Sequence, residues 1–144
     1  MERSSVGPFA PGGFALGGNV FGWTVNEALS FRLLDQFTDA GFNLIDTADM
    51  YSTWTGQPGI SETIIGRWLK KSGKRGKVLI ATKVGLEVAP GESGLSRSHI
   101  LRSVEGSLRR LQTDHIDLYQ AHRDDPQSPL EETLETFSEL VKAG

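Results

Sequence analysis

Four side chains at the ends of apolar runs carry most of the chemistry available to this sequence. Asp46 falls at the end of the run Phe42–Thr47 and Tyr51 follows five residues later. Lys83 ends the run Val78–Lys83, and His122 ends Ile116–His122. Each residue alone has a plain role. Asp46 can cap backbone in a turn, Tyr51 can pack in a loop with its hydroxyl in water, Lys83 can snorkel out of a strand end, and His122 can belong to the turn before Arg123-Asp124-Asp125-Pro126. Together they suggest more, because a lysine ending a buried run needs a counter-ion and Asp46 is the available one. A buried ammonium beside a phenol favours the phenolate. A phenol so placed can give its proton to a developing alkoxide near neutral pH, while an imidazole hydrogen-bonds and orients the same oxygen. That set suits carbonyl reduction with hydride from a nicotinamide.

These residues converge only if the elements carrying them lie side by side. The apolar runs Phe14–Gly18, Phe42–Thr47, Val78–Lys83 and Ile116–His122 are short, show little alternation and are bounded by glycine or polar residues, as buried parallel strands are. Between and after them lie stripes of helical period. Leu29, Leu33, Phe37 and Ala40 form the first, with Gly41 as its stop. Ile64, Ile65, Trp68 and Leu69 form the second, with Ser61 as the expected N-cap. Ile100, Val104, Leu108 and Leu111 form the third, behind Ser96. Leu130, Leu134, Phe137 and Val141 form the fourth, where Ser128-Pro129-Leu130-Glu131 predicts a capping box. Strand and helix thus alternate four times. The expected class is α/β, a parallel sheet with right-handed crossovers, built of barrel-type units that bring every strand C-terminus to one rim. The competing doubly wound sheet usually carries a GxGxxG turn after its first strand, and Gly17-Gly18-Asn19-Val20-Phe21-Gly22 is not one.

Composition removes other classes. With 15 Lys and Arg against 18 Asp and Glu the net charge is −3, so neither a nucleic-acid nor a membrane surface is an expected partner. No apolar run approaches the ~20 residues of a membrane span, and Met1-Glu2-Arg3-Ser4-Ser5 lacks the apolar segment of a secretory signal. The absence of cysteine excludes disulfides, thiolate catalysis and Cys-zinc sites and fits a cytoplasmic protein. His99 and His115 show no ligand spacing with His122, so no metal site is expected. The basic run Lys70–Lys77 reads as a solvated helix end, where cations suit the dipole.

The stretches Gly41–Tyr51, Ala81–Val84 and Leu108–His122, the last ending Leu118-Tyr119-Gln120-Ala121-His122, resemble the aldo-keto reductase family, and the resemblance extends from about Phe14 to Gly144. It implies an NADPH-linked reductase of aldehydes and ketones on a triosephosphate-isomerase-type barrel. Tyr51 would be the proton donor, Lys83 and Asp46 its tuning pair, and His122 the group that orients the carbonyl. Gly18 and Asn19 match the family's segment near the nicotinamide, and Trp23 and Trp54 match loop positions that shape the substrate pocket.

Against that family the chain holds four units of eight. It is expected to be a single (β/α)4 half-barrel over residues 1–144. The loops after strands 7 and 8, which typically hold phosphates in such barrels, have no counterpart in it. A four-stranded half-barrel has an open inner face and open edges at its first and last strands, which invites association. A homodimer is the simplest remedy. Three readings stay open: a reductase half whose activity depends on self-assembly, a non-catalytic half-barrel, and a Schiff-base enzyme using Lys83 as the amine.

Overall fold

The described residues alternate strand and helix: β1 Ala15–Gly17, α1 Glu27–Asp39, β2 Leu44–Asp46, α2 Ile60–Ser72, β3 Leu79–Val84, α3 Arg97–Leu111, β4 Leu118–Ala121 and α4 Leu130–Ala143. This is a computed structural model and describes residues 13–144, so the reading of Met1–Ser5 lies outside the described residues. The strands form one sheet in the order β1-β2-β3-β4, and every pair is parallel. A doubly wound sheet would reverse its strand order at a switch point. The unreversed order is that of half a (β/α)8 barrel. The strands are shorter than the apolar runs, but single backbone bonds carry the pairing further, from Thr47 N–H to the Ala81 carbonyl and from His122 N–H to the Val84 carbonyl. No described helix is long and apolar enough to cross a membrane.

Residue alternation divides the sheet into two faces. Ile45, Ile80, Thr82 and Val84 are fully buried toward the helices. There Ile45 and Ile80 join Leu34 of α1, Ile64, Ile65, Trp68 and Leu69 of α2, and Leu111 of α3 in the main core. A smaller cluster of Val84, Leu95 and Ile100 is flanked by Tyr119, Phe137 and Leu140. On the other face Leu44, Asp46, Leu79, Lys83 and Gln120 are only partly buried, and Leu118 is exposed.

Three helix expectations need correction. Ser61 is not the cap of α2. Gly59, in the left-handed region at φ 70°, precedes the helix, and Ser61 lies inside the first turn. Its hydroxyl is spent on tertiary bonds, donating to the Gly18 carbonyl at 2.7 Å and pairing with Thr47 Oγ1 at 2.9 Å. The capping box at α4 does not form either, because Ser128 Oγ donates to Asp125 Oδ2 at 2.6 Å instead. The apolar stripe of α4 is only partly inward. Phe137 packs on Tyr119, whereas Leu130, Leu134 and Val141 are more than half exposed, and Thr133 and Thr136 occupy the buried positions. A row of helices explains this: α4 packs against α3 on one flank, and no described element follows on the other. Ser96 does cap α3, accepting from His99 N–H. The α1 cap, Asn26, which accepts from Leu29 N–H at 2.9 Å, was not foreseen.

The contact between α2 and α3 depends on glycine. Added Cβ atoms at Gly59 and Gly106 would press on the Arg110 side chain, and one at Gly66 would lie 2.9 Å from Leu111 Cα and overlap the Arg110 carbonyl oxygen. Gly66 is helical, so alanine would gain about 1 kcal/mol of helix propensity. Forcing two backbones apart costs about 1–3 kcal/mol, occasionally more, and should win. Gly66→Ala is therefore expected to lower stability in urea denaturation. An unchanged or raised midpoint would contradict this close approach.

Candidate active site

Lys83 is the hub of the rim at the strand C-terminal ends. The register pairs Asp46 with Ala81, so Lys83, two residues on, projects from the same face of β3 just beyond Asp46. Its Nζ donates to Asp46 Oδ2 at 2.7 Å, the Thr47 carbonyl at 2.8 Å and the Tyr51 hydroxyl at 3.0 Å. These three acceptors match the three N–H bonds of an ammonium. Nζ also lies 4.8 Å from the centre of the Tyr51 ring. The side chains are 14% and 30% exposed for Lys83 and Asp46, so the ion pair is largely shielded from water.

Tyr51 reaches this position because the chain after β2 first continues along β3 and then turns back. Thr47 N–H donates to the Ala81 carbonyl, Asp49 N–H to the Lys83 carbonyl, and Tyr51 N–H to the Ala48 carbonyl. Ser52 follows at φ 68°, in the left-handed region that side chains other than glycine rarely adopt. Its buried hydroxyl donates to the Phe21 carbonyl at 3.1 Å, which secures the turn.

His122 completes the group. Its N–H donates to the Val84 carbonyl, and its ring meets Tyr51 edge-on, with centroids 5.8 Å apart and planes at 77°. Burial, with help from the Lys83 charge and against Asp46, holds the imidazole below its ordinary pKa of 6.5. Its Nδ1 is buried without a partner, which leaves Nε2 as the ring nitrogen available to an outside molecule. The four residues expected to converge are thus together: a phenol, an ammonium that touches its oxygen, a carboxylate that holds the ammonium, and a neutral imidazole. Lys83 Nζ is engaged by three acceptors that belong to the proton-delivery group, so the Schiff-base reading gains no support from the geometry.

The outlying candidates take different places. Gly18 is buried, donates its N–H to the Asp46 carbonyl at 2.7 Å, and has no room for a Cβ beside Ser61 Oγ and the Asp46 oxygen. It pins the end of β1 to β2, and Asn19 stands exposed next to it. Trp23 and Trp54 are 54% and 50% exposed and pack on each other edge to face, with centroids 5.3 Å apart. Sequence reasoning missed the Thr47 carbonyl as a lysine acceptor. It also missed Glu62, which is fully buried on α2 and accepts from Thr82 Oγ1 at 2.6 Å and from Arg110 Nε at 2.7 Å. The signal was available: Glu62, Ile65 and Leu69 share one helix face, and a charge on an apolar face must find a partner.

The sequence profile described as "Aldo/keto reductase family" matches residues 11–144. The chain is similar to two Bacillus subtilis proteins. It is 43% identical to the aldo-keto reductase YhdN, over 100% of this chain and 41% of that protein. It is 42% identical to the uncharacterized oxidoreductase YrpG, over 90% of this chain and 41% of that one. Among solved structures, the holo form of aldo-keto reductase AKR11C1 from Bacillus halodurans superimposes with a TM-score of 0.86 at 35% identity, over 100% of this chain and 47% of that one. The chain therefore spans under half the length of these relatives.

Two measurements test the geometry. Lys83→Met strands the Asp46 carboxylate and should cost about 1–3 kcal/mol in chemical denaturation; no loss would mean the ion pair is not formed. In NMR titration the His122 imidazole should have a midpoint below 6.5, moving up in Lys83→Met. Because folding lowers that value, the unfolded chain takes up the proton first. The folded state therefore loses stability as pH falls below 6.5 and keeps the contribution in full above it.

Proposed function

The chain belongs to the aldo/keto reductase family, and on that premise we propose that its rim is the proton-delivery half of an NADPH-dependent site that reduces aldehydes and ketones to alcohols. The observation that carries the reading is the position of Lys83 Nζ, 2.7 Å from Asp46 and 3.0 Å from the Tyr51 hydroxyl, with the His122 ring beside that phenol. The donor set fits a hydride carrier, since it can supply a proton and orient an oxygen but holds no group that can give up two electrons. NADPH, when bound, supplies the hydride to the carbonyl carbon and becomes NADP⁺. The chain's own work is on the oxygen. Tyr51 transfers its hydroxyl proton to the oxygen as negative charge develops there, so carbonyl plus hydride plus proton gives the alcohol. Lys83 stabilises the phenolate left behind, and Asp46 with the Thr47 carbonyl holds the ammonium in place. His122, kept neutral, hydrogen-bonds the same oxygen and fixes its direction. Gly18 and Asn19 would border the nicotinamide, and the exposed Trp23–Trp54 pair would form an apolar wall for the substrate.

A second reading has its own support. Leu130, Leu134 and Val141 are exposed on one flank, and β1 and β4 are sheet edges. We propose that these surfaces associate with a second copy of the chain, and that a homodimer is the form in which any activity resides.

Titration of the purified chain with NADPH, followed by nicotinamide fluorescence, tests the first reading. Saturable binding is expected. Tyr51→Phe should retain it while carbonyl reduction falls about 10²–10⁴-fold. No binding at millimolar cofactor would leave a half-barrel without reductase chemistry. Sedimentation velocity tests the second, and a monodisperse monomer would dismiss it.

A further inference from the structure

Directly behind the site lies a carboxyl group that the proposed chemistry does not use. Asp49 is 3% exposed, and neither of its carboxyl oxygens has a hydrogen-bond partner. It belongs to the segment after β2 that bonds along β3, with its own N–H on the Lys83 carbonyl. Asp46 and Tyr51, on either side of it in sequence, both meet Lys83 Nζ. Asp49 lines a cavity of about 290 Å³ together with Glu92, His99, Arg102, Arg109 and Arg110.

The charged groups acting on it come from three directions. Glu62 of α2 repels a carboxylate there. Arg110 of α3 attracts one, but its Nε is committed to Glu62 and its guanidinium also donates to Ser107. Tyr119 of β4 has a buried hydroxyl with no partner, and it feels the Asp49 and Glu62 charges. The amides of Met50 and of Asp49 itself pull weakly toward ionisation. Two carboxyls thus share one guanidinium, which already belongs to the other. An unpaired buried carboxylate is costly enough that such a group takes up a proton instead. Burial first, then Glu62, push Asp49 up to about 7.

We propose that Asp49 is a proton-operated latch on the Asp46–Tyr51 segment: as the neutral acid it lets the segment lie closed along β3, and as the carboxylate it drives the segment open. Asp49 is a positioning residue here, acting on Tyr51 through the backbone that carries both. The proposal stands apart from the reductase reading, because its test uses neither cofactor nor turnover.

Carbon-13 NMR of the full chain, with labelled aspartate and the signal assigned by its loss in Asp49→Asn, should show a carboxyl midpoint near 7. A midpoint in the ordinary carboxylate range would overturn the proposal. The second readout is amide exchange at Asp49 and Tyr51, corrected for the intrinsic base dependence. Protection of both amides should fall about tenfold per pH unit as pH rises from the ordinary carboxylate range toward the midpoint, level off above it, and show no such fall in Asp49→Asn. Protection that stays level in the native chain would sink the latch even if the acid titrates near 7. A fall spread evenly over all core amides would do the same, since it would report global unfolding. Should Asp49→Asn fail to fold, the native chain still decides, with the carboxyl signal assigned through its correlation to the Asp49 amide: a fall in protection confined to this segment supports the latch, and level protection overturns it.

Discussion

Glu62 sets the terms for the rest of this structure. A carboxylate with no solvent exposure is tolerable only when its oxygens are bonded and its charge is matched. Both conditions are met from outside its own helix, by Thr82 of β3 and Arg110 of α3. One side chain therefore ties three elements together. Removing Arg110 would leave the carboxylate buried without a counter-charge, a cost of about 3–5 kcal/mol by the general behaviour of such pairs, and losing the Thr82 hydroxyl would cost about 1–3 kcal/mol. The glycines around Arg110 are the steric counterpart: the arginine reaches Glu62 because Gly59, Gly66 and Gly106 leave it room. The surface ion pairs have much less leverage. Arg67–Glu27, Arg97–Glu139 and Arg109–Glu105 are well exposed, and pairs of that kind contribute about 0–1 kcal/mol.

Strand β3 carries this constraint to the site. Thr82 and Lys83 are consecutive, so their side chains leave the strand on opposite faces. Thr82 bonds Glu62 in the helix layer, and Lys83 bonds Asp46 and Tyr51 on the open face. The two polar clusters share a backbone and little else. Holding Thr82 in place fixes the direction in which Lys83 leaves the strand. The network at the other end of the sheet does a similar job. Arg75 donates to Asp117, to Thr113 and to the Val78 and His115 carbonyls, while Asp117 accepts from Ile80 N–H. This fixes the relative heights of β3 and β4, and so of Lys83 and His122.

How much of this was legible in the sequence depended on whether the deciding physics was local or tertiary. Asp46, Lys83 and His122 could be placed because strand ends are marked by where an apolar run stops, and parallel topology then brings those ends to one rim. Tyr51 could be placed only through its spacing from Asp46. Helix caps fared worse. Ser61 and Ser128 have the right chemistry at the right spacing, but each hydroxyl found a stronger claim elsewhere, Ser61 on the Gly18 carbonyl and Ser128 on Asp125. The α4 stripe looked like a core-facing pattern, yet a pattern states only that a face is apolar, not that a neighbour covers it. Glu62 could be seen as a charge on an apolar helix face, but not its partner, since Arg110 is remote in sequence. Asp49 gave no local sign at all: in Asp46-Thr47-Ala48-Asp49 it reads as a turn aspartate.

The unreversed order of the strands also governs how the chain comes together in time. Each strand pairs with the one before it, and each helix packs beside its predecessor. The topology therefore allows the sheet to be extended by one unit of some thirty to forty residues at a time. Each pairing closes a loop of some thirty to forty residues, and because closure entropy grows only slowly with loop length no pairing costs much more than another. Synthesis from the N-terminus supplies the units in the order in which they are needed. In such an order each helix receives the next on one flank, and Leu130, Leu134 and Val141 give α4 an apolar flank of the same kind.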